Sequence, residues 1–362
     1  MSKSMTKSRA LALQLTEDFF NNGCFETFGG GGAPAISPAA TSGNQFYNFD
    51  DFQSGYAGLS VQCVGCDETP EQERVYIYVT KGGKKQLETI SNDKGGVFVK
   101  VINIGKTVIK PEVALSATNR GHVFVRDSRI ACGSSCQPSG ENYSGTIGAI
   151  VQRNGELFAL SNNHVFAACN HVQIGQPIIS PSNADCGPNI PAPRMVARHS
   201  GIIELRSGNP KLVPTTSLDV AFAAIEHNAI TSWQGNEENG YDTPTTGISP
   251  SVGMSVKKFG RTTGLTFGTI ESYLPASFWL PYQCKKFAAT VWFQDIWMVK
   301  AADKSEHFAL NGDSGSLVVT EDGKNAVGLL FAVNSHGKQA FIMSIETILK
   351  QLEMTLVNGH GI

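Results

Sequence analysis

Asn154-Gly155 stands between two short apolar runs, 146–151 and 156–160. This dipeptide suits a type I′ turn because both central residues of that turn need φ > 0. A tight β-hairpin is predicted there. Similar units follow along the chain. Runs 251–259 and 266–273 bracket the pentapeptide Gly260-Arg261-Thr262-Thr263-Gly264, 291–300 is one long apolar-aromatic run, and 316–320 is placed to pair with 326–333 across Asp322-Gly323. Many short strands at close spacing predict a mainly β barrel or sandwich. In this half a helical period appears only at 344–354, where Ile345, Ile348, Leu349 and Leu352 share one face.

The first third reads differently. Leu11, Leu15 and Phe19 are spaced four apart, which predicts a short amphipathic helix over 8–22. Residues 29–43 (GGGGAPAISPAATSG) have the composition of a flexible linker. Runs 75–79 and 97–104 look like strands, separated by a stretch holding Lys81, Lys84 and Lys85. The predicted organisation is a helix and linker over 1–45, a small α+β regulatory or docking domain over 46–126, and a larger β domain over 127–362.

Composition narrows the function. Lys+Arg 29 against Asp+Glu 31 leaves a net charge of −2, which argues against nonspecific nucleic-acid binding. No apolar run approaches the roughly 18 residues of a membrane span, so no membrane partner is expected. Eight cysteines in 362 residues are too sparse for a disulfide scaffold. Lys3, Lys7 and Arg9 precede an apolar stretch of only six residues that runs into Glu17 and Asp18, which is no secretory signal. A cytoplasmic location is the expectation, with an organellar presequence as the alternative reading of the basic start.

Three segments carry chemistry. In LSNNHVFAA, His164 follows the second strand of the Asn154-Gly155 hairpin; in SLDVAFAAI, Asp219 is the one charge in an apolar strand; in NGDSGSLVV, Ser314 sits between glycine-flanked turn residues before a strand. A serine hydroxyl is a weak nucleophile at neutral pH and needs a base in hydrogen-bond reach, usually histidine. A sheltered carboxylate fixes the imidazole tautomer and stabilises its protonated form. An oxyanion needs backbone N–H groups aimed at one spot, and the turn at Gly312 favours a residue without Cβ. His164, Asp219 and Ser314 are therefore the candidate catalytic residues, and the amides of Gly312 and Ser314 the candidate oxyanion donors. The plain alternatives are a loop histidine, a strand aspartate satisfied by neighbouring amides, and an inactive scaffold.

The order His164, Asp219, Ser314, the GDSG signature at 312–315 and the apolar hairpin after it resemble the chymotrypsin-like (trypsin-like) serine proteases over about 140–355. SNNHVFA, GRTTG at 260–264 and GDSGSL are similar to the intracellular branch that holds the plant narrow-leaf proteases and many bacterial trypsin-like peptidases. The resemblance implies a double β-barrel with a C-terminal helix, an acyl-enzyme mechanism, no cofactor, and a protein or peptide substrate. It leaves two alternatives: a non-catalytic interaction module on a protease fold, and a signalling or defence effector whose centre is assembled by an activating partner.

The chain also departs from that pattern. Secreted relatives pair a freshly cut amino terminus with the aspartate before the nucleophile, here Asp313, and no such start is present. Cleavage at Arg129-Ile130 would release a comparable terminus; the alternative is that internal groups hold Asp313. The resemblance puts Phe308, six before the nucleophile, at the base of the specificity pocket, with Phe331, Ala332 and Val333 along its wall and Gln339 nearby. Preference for Arg or Lys is then not expected, and small or medium apolar side chains are. Cys63 and Cys66 with Cys132 and Cys136 form CxxC and CxxxC pairs that offer a tetrahedral zinc set, although the separation between pairs is outside the usual zinc-ribbon range. The plain reading is four free thiols. Cys169 and Cys186 are candidates to approach one another near His164.

Overall fold

The computed structural model describes residues 5–21, 23–25, 59–69, 73–81, 96–107, 109, 112–113, 121–207, 218–284, 287–303 and 305–362. The linker expected at 29–43 and Lys84 and Lys85 lie outside them. The protein is mainly β, with a helix at Lys7–Asn21 and another at Ile345–Leu352.

The Asn154-Gly155 turn joins Ala149–Arg153 to Glu156–Ser161, with φ of 53° and 85° at its two central residues. These strands sit in a nine-stranded sheet that runs Thr355–Leu356, Ala149–Arg153, Glu156–Ser161, Ala221–Ile225, Arg194–Ile202, Pro177–Ser180, Ser135–Pro138, Tyr143–Thr146, Glu112–Val113. Among the described residues this sheet does not close by strand pairing, so where a double barrel was expected one closed barrel is seen.

The second sheet does close. Ser255–Gly260, Leu317–Thr320, Ala326–Val333, Gln339–Ser344, Ile296–Ala301 and Gly264–Leu274 pair in that order, and the last pairs back onto the first to make a six-stranded barrel. The two-residue period of a strand divides its side chains. Val256, Ile270, Val299, Val318, Leu330 and Ile342 form one cluster drawn from all six strands, while Leu317, Val319, Leu329, Phe331 and Met343 pack with Ala149, Val151, Phe158 and Leu160 of the other sheet. The second cluster is the seam between the two sheets, and the candidate site lies along it.

Beyond Gly264–Leu274 the same sheet continues into Ser60–Asp67, Arg74–Lys81 and Phe98–Asn103, with Cys66 opposite Tyr273. The N-terminal strands are thus added to the barrel's sheet. The helix Lys7–Asn21 covers them with Leu11, Leu15 and Phe19, each at most 1% exposed. Burial of side chains this size stabilises by roughly 1.5–3 kcal/mol each.

The run at 291–300 is not one strand. Asp295 takes φ of 58°, and the chain reverses there between Phe287–Phe293 and Ile296–Ala301. The first of these pairs with Phe278–Cys284 in a separate hairpin and bridges Ser207 through Val291; the second enters the barrel. An uninterrupted apolar stretch hides such a break because both sides are buried.

Candidate active site

His164 lies in a short helix, Asn163–Phe166, that begins two residues after the strand Glu156–Ser161. Asp219 sits two residues before the strand Ala221–Ile225 rather than within it, between buried Leu218 and Val220, and is itself fully buried. His164 Nδ1 is 2.5 Å from Asp219 Oδ2, and the His164 backbone N–H donates to Asp219 Oδ1 at 3.0 Å. One carboxylate therefore holds both the ring and the main chain of the histidine. Asn162 Nδ2 donates to the Asp219 carbonyl at 2.7 Å, and the Asp219 N–H meets the Met343 sulfur at 3.2 Å, tying the aspartate to both sheets.

A second donor shares Asp219. Tyr282 Oη, from the Phe278–Cys284 hairpin strand, donates to the same Oδ2 at 2.7 Å. Its ring stands edge-on to the His164 imidazole, 6.1 Å between centroids. Burial and then the Asp219 charge push the phenol well above its usual range, so it stays a donor. Cys169 lies close enough to Asp219 to feel its charge; a hydrogen bond with Cys284 and then burial raise its thiol, and the two form no disulfide.

Ser314 is half-buried in the turn that precedes Leu317–Thr320. Its Oγ contacts the Phe331 carbonyl at 3.5 Å. Gly315, at φ of 96°, must be glycine because a Cβ would overlap Ser161 Oγ and the Thr146 carbonyl. This close approach seats the serine turn against the strand end three residues before His164. Thr146 completes the seam: its N–H donates to the Ser314 carbonyl at 2.9 Å and its Oγ1 to the Gly312 carbonyl at 2.9 Å.

The two candidate oxyanion donors are aimed by bonds on the opposite sides of their peptide groups. In a trans peptide C=O and N–H point opposite ways. Thr262 Oγ1 donates to the Asn311 carbonyl at 2.7 Å, which turns the Gly312 N–H away from Thr262. The Asp313 carbonyl accepts from Ser316 N at 3.0 Å and Ser316 Oγ at 2.6 Å, which orients the Ser314 N–H in the same manner. Neither amide has an acceptor among the described residues.

Asp313 is held internally. Its Oδ1 accepts from the amides of Thr262 (2.7 Å) and Thr263 (3.1 Å), and its Oδ2 from Thr263 Oγ1 (2.7 Å) and Leu310 N (2.9 Å). Lys258 Nζ lies 3.4 Å from Oδ2. The Arg129-Ile130 bond, by contrast, is inside a strand, with Ile130 fully buried and its amide bonded to Ala229. Arg261 crosses the seam to Asp185, with Nε at 2.8 Å from Oδ2 and Nη2 at 2.7 Å from Oδ1. Burial alone would raise the Asp185 carboxyl, but Arg261, Ser135 and the Gly121 amide hold it below the usual range.

Of the residues expected to line a specificity pocket, Phe308 and Phe331 are fully buried, the first among the barrel-interior side chains and the second in the seam, where Ala332 packs as well. Val333 is partly buried against the barrel interior. The nearby cavity, about 590 Å³, is lined by Asn103, His307, Leu310, Ser335, His336, Lys338 and Gln339, so Gln339 alone of the five reaches it. The four cysteines proposed for zinc do not converge. Cys63 and Cys66, three apart on a strand, face the seam and the N-terminal cluster respectively, while Cys132 and Cys136 lie in a third cluster. Among the described residues no group of three or more His, Cys, Asp or Glu side chains is placed to hold a metal. Cys169 is beside Cys284 rather than Cys186.

No protein-family profile matches the chain, and no curated protein matches it. Solved structures do. Thermobifida fusca protease A is similar at 20% identity over 63% of this chain and 100% of its own, with a TM-score of 0.44. Cellulomonas bogoriensis chymotrypsin follows at 17% identity over 63% and 97%, TM-score 0.41. The tobacco etch virus protease complexed with product is similar at 10% identity over 62% and 80%, TM-score 0.30. The chain is structurally similar to chymotrypsin-like serine proteases, at low identity, over about 63% of its length.

Proposed function

We propose that this chain is a serine endopeptidase of chymotrypsin-like architecture acting on protein or peptide substrates. The observation that carries the reading is the buried Asp219 carboxylate gripping His164 at both ring and backbone, across the seam from a serine turn with two aimed amides that have no acceptor among the described residues. Ser314 attacks the scissile carbonyl, and His164 takes its proton and returns it to the leaving amine. Asp219 keeps the imidazole in the tautomer with the proton on Nδ1 and stabilises the imidazolium. The amides of Gly312 and Ser314 receive the oxyanion. The acyl-enzyme is then released by water through the same groups, with no cofactor.

We place its work in a reducing, cytoplasmic compartment, which suits eight cysteines that form no disulfide. The N-terminal helix and strands, docked on the barrel's sheet, suit a regulatory role. The contact of Ser314 Oγ with the Phe331 carbonyl favours a second reading, an effector whose serine turns toward His164 only when a partner binds. Profiling of new protein N-termini after adding the purified chain to a proteome tests the first. Neo-termini that vanish with Ser314→Ala support it, termini seen only with a partner support the second, and none under either condition overturns both.

A further inference from the structure

Tyr282 shares an oxygen with the proposed catalytic base, yet it comes from neither sheet that carries the three candidate catalytic residues. It lies on the separate two-stranded hairpin of Phe278–Cys284 and Phe287–Phe293. Phe278, Leu280, Tyr282, Val291 and Phe293 face the seam, and Trp279 and Trp292 face the cluster built by the N-terminal helix and strands. The hairpin is a plate with the Asp219 site on one side and the N-terminal segment on the other.

The N-terminal segment grips this plate at three points. Phe20 of the Lys7–Asn21 helix stacks on Trp292 with centroids 5.6 Å apart. Gln62 Nε2 donates to the Trp279 carbonyl at 2.9 Å. Ile109 runs alongside Tyr282 itself: its N–H donates to the Pro281 carbonyl and its carbonyl accepts from Gln283 N, both at 2.9 Å, so the backbone on either side of Tyr282 is pinned.

Resting on the endopeptidase reading, we propose that Tyr282 is a positioning residue through which the docked N-terminal segment sets the Asp219 carboxylate against His164. The hydroxyl fixes the carboxylate rotamer. With Oδ2 held between Nδ1 and Oη and Oδ1 held by the His164 amide, the plane of the carboxylate has one orientation. A hydrogen bond with Cys284 and then burial raise the nearby Cys169 thiol, so Cys169 brings no second negative charge to Asp219. A hydrogen bond to a charged group contributes enough that its loss costs roughly a tenfold to hundredfold in a rate it governs.

The test uses the full chain and two readouts. The first is the downfield proton resonance of His164 Nδ1–H, which needs no turnover. The second is the rate constant and apparent affinity of a fluorophosphonate for Ser314. Tyr282→Phe is expected to move the resonance further downfield, because Oδ2 loses its competing donor, and to lower the labelling rate constant about tenfold with affinity unchanged. Gln62→Met, a mild change on the far side of the hairpin, is expected to shift both in the same direction by less, and to add nothing in the Tyr282→Phe background. An unshifted resonance and unchanged labelling in folded Tyr282→Phe overturn the role of Tyr282; full additivity of Gln62→Met overturns the link to the N-terminal segment. If the resonance shifts while no variant labels, the positioning contact is supported and the endopeptidase reading is what fails.

Discussion

Lys258 Nζ lies 3.4 Å from Asp313 Oδ2, and neither side chain is exposed. The ammonium comes from the barrel strand Ser255–Gly260, and the carboxylate from the residue before the candidate nucleophile. Burial lowers the Lys258 pKa and Asp313 opposes that fall. Asp313 therefore has an internal cation, in the role that a freshly cut amino terminus would otherwise fill.

The chain is accordingly expected to label with a fluorophosphonate while its N-terminus is intact. Lys258→Met leaves a buried carboxylate without its cation, which costs about 3–5 kcal/mol in comparable pairs. The four hydrogen bonds to Asp313 place the expected loss at the lower end, near ~3 kcal/mol. Urea melting with N-terminal sequencing of the labelled species checks both; an active species beginning at Ile130 would contradict the account.

Thr262→Val removes the bond that aims the Gly312 N–H while keeping the side chain's shape. Loss of one oxyanion donor costs roughly 10²–10³ in rate. Misorientation of a donor that remains in place is expected to cost less, on the order of tenfold. The labelling rate constant should fall without a change in melting temperature. An unchanged rate would show that the Asn311–Gly312 peptide is oriented without Thr262.

Acid should loosen the seam through Asp185. Its carboxyl is held below its unfolded value of about 3.9 by Arg261, so the unfolded chain binds the proton first. The stabilisation is complete above that unfolded value and is lost as pH falls through the lower folded one. Asp185→Asn should therefore flatten the acid limb of stability between about pH 4 and the acid midpoint, read by denaturant melts at stepped pH. A limb of unchanged steepness would remove Asp185 from the acid response.

Metal removal should do nothing. With Cys63 and Cys66 on opposite faces of one strand and Cys132 and Cys136 in another cluster, a zinc chelator is expected to leave both melting temperature and labelling unchanged. Stoichiometric zinc in the purified chain, lost on Cys63→Ser with a drop in stability, would contradict this placement.

What was legible in the chain was local. The Asn154-Gly155 turn, the helix at Ile345–Leu352 and the strand pair around Asp322-Gly323 announce themselves through turn chemistry and periodicity within a dozen residues. Asp219 stands out as a charge in an apolar run, and His164 by its place just past the second strand of the Asn154-Gly155 hairpin. Tyr282 and Arg261 did not, since each reaches its carboxylate across more than sixty residues of sequence and leaves no local trace. The split at Asp295 was hidden for a related reason: apolar content reports burial but not direction. The pocket places of Phe308 and Phe331 came from the resemblance and not from the residues, and both side chains are buried in the structure.

The central claim is that Ser314 is made nucleophilic by His164. Intact-mass and peptide mass spectrometry of the full chain after fluorophosphonate treatment tests it most directly. The account predicts one adduct, on the peptide carrying Ser314, absent in Ser314→Ala and strongly slowed in His164→Ala. An adduct at any other residue, or equal labelling of the His164→Ala variant, would contradict it.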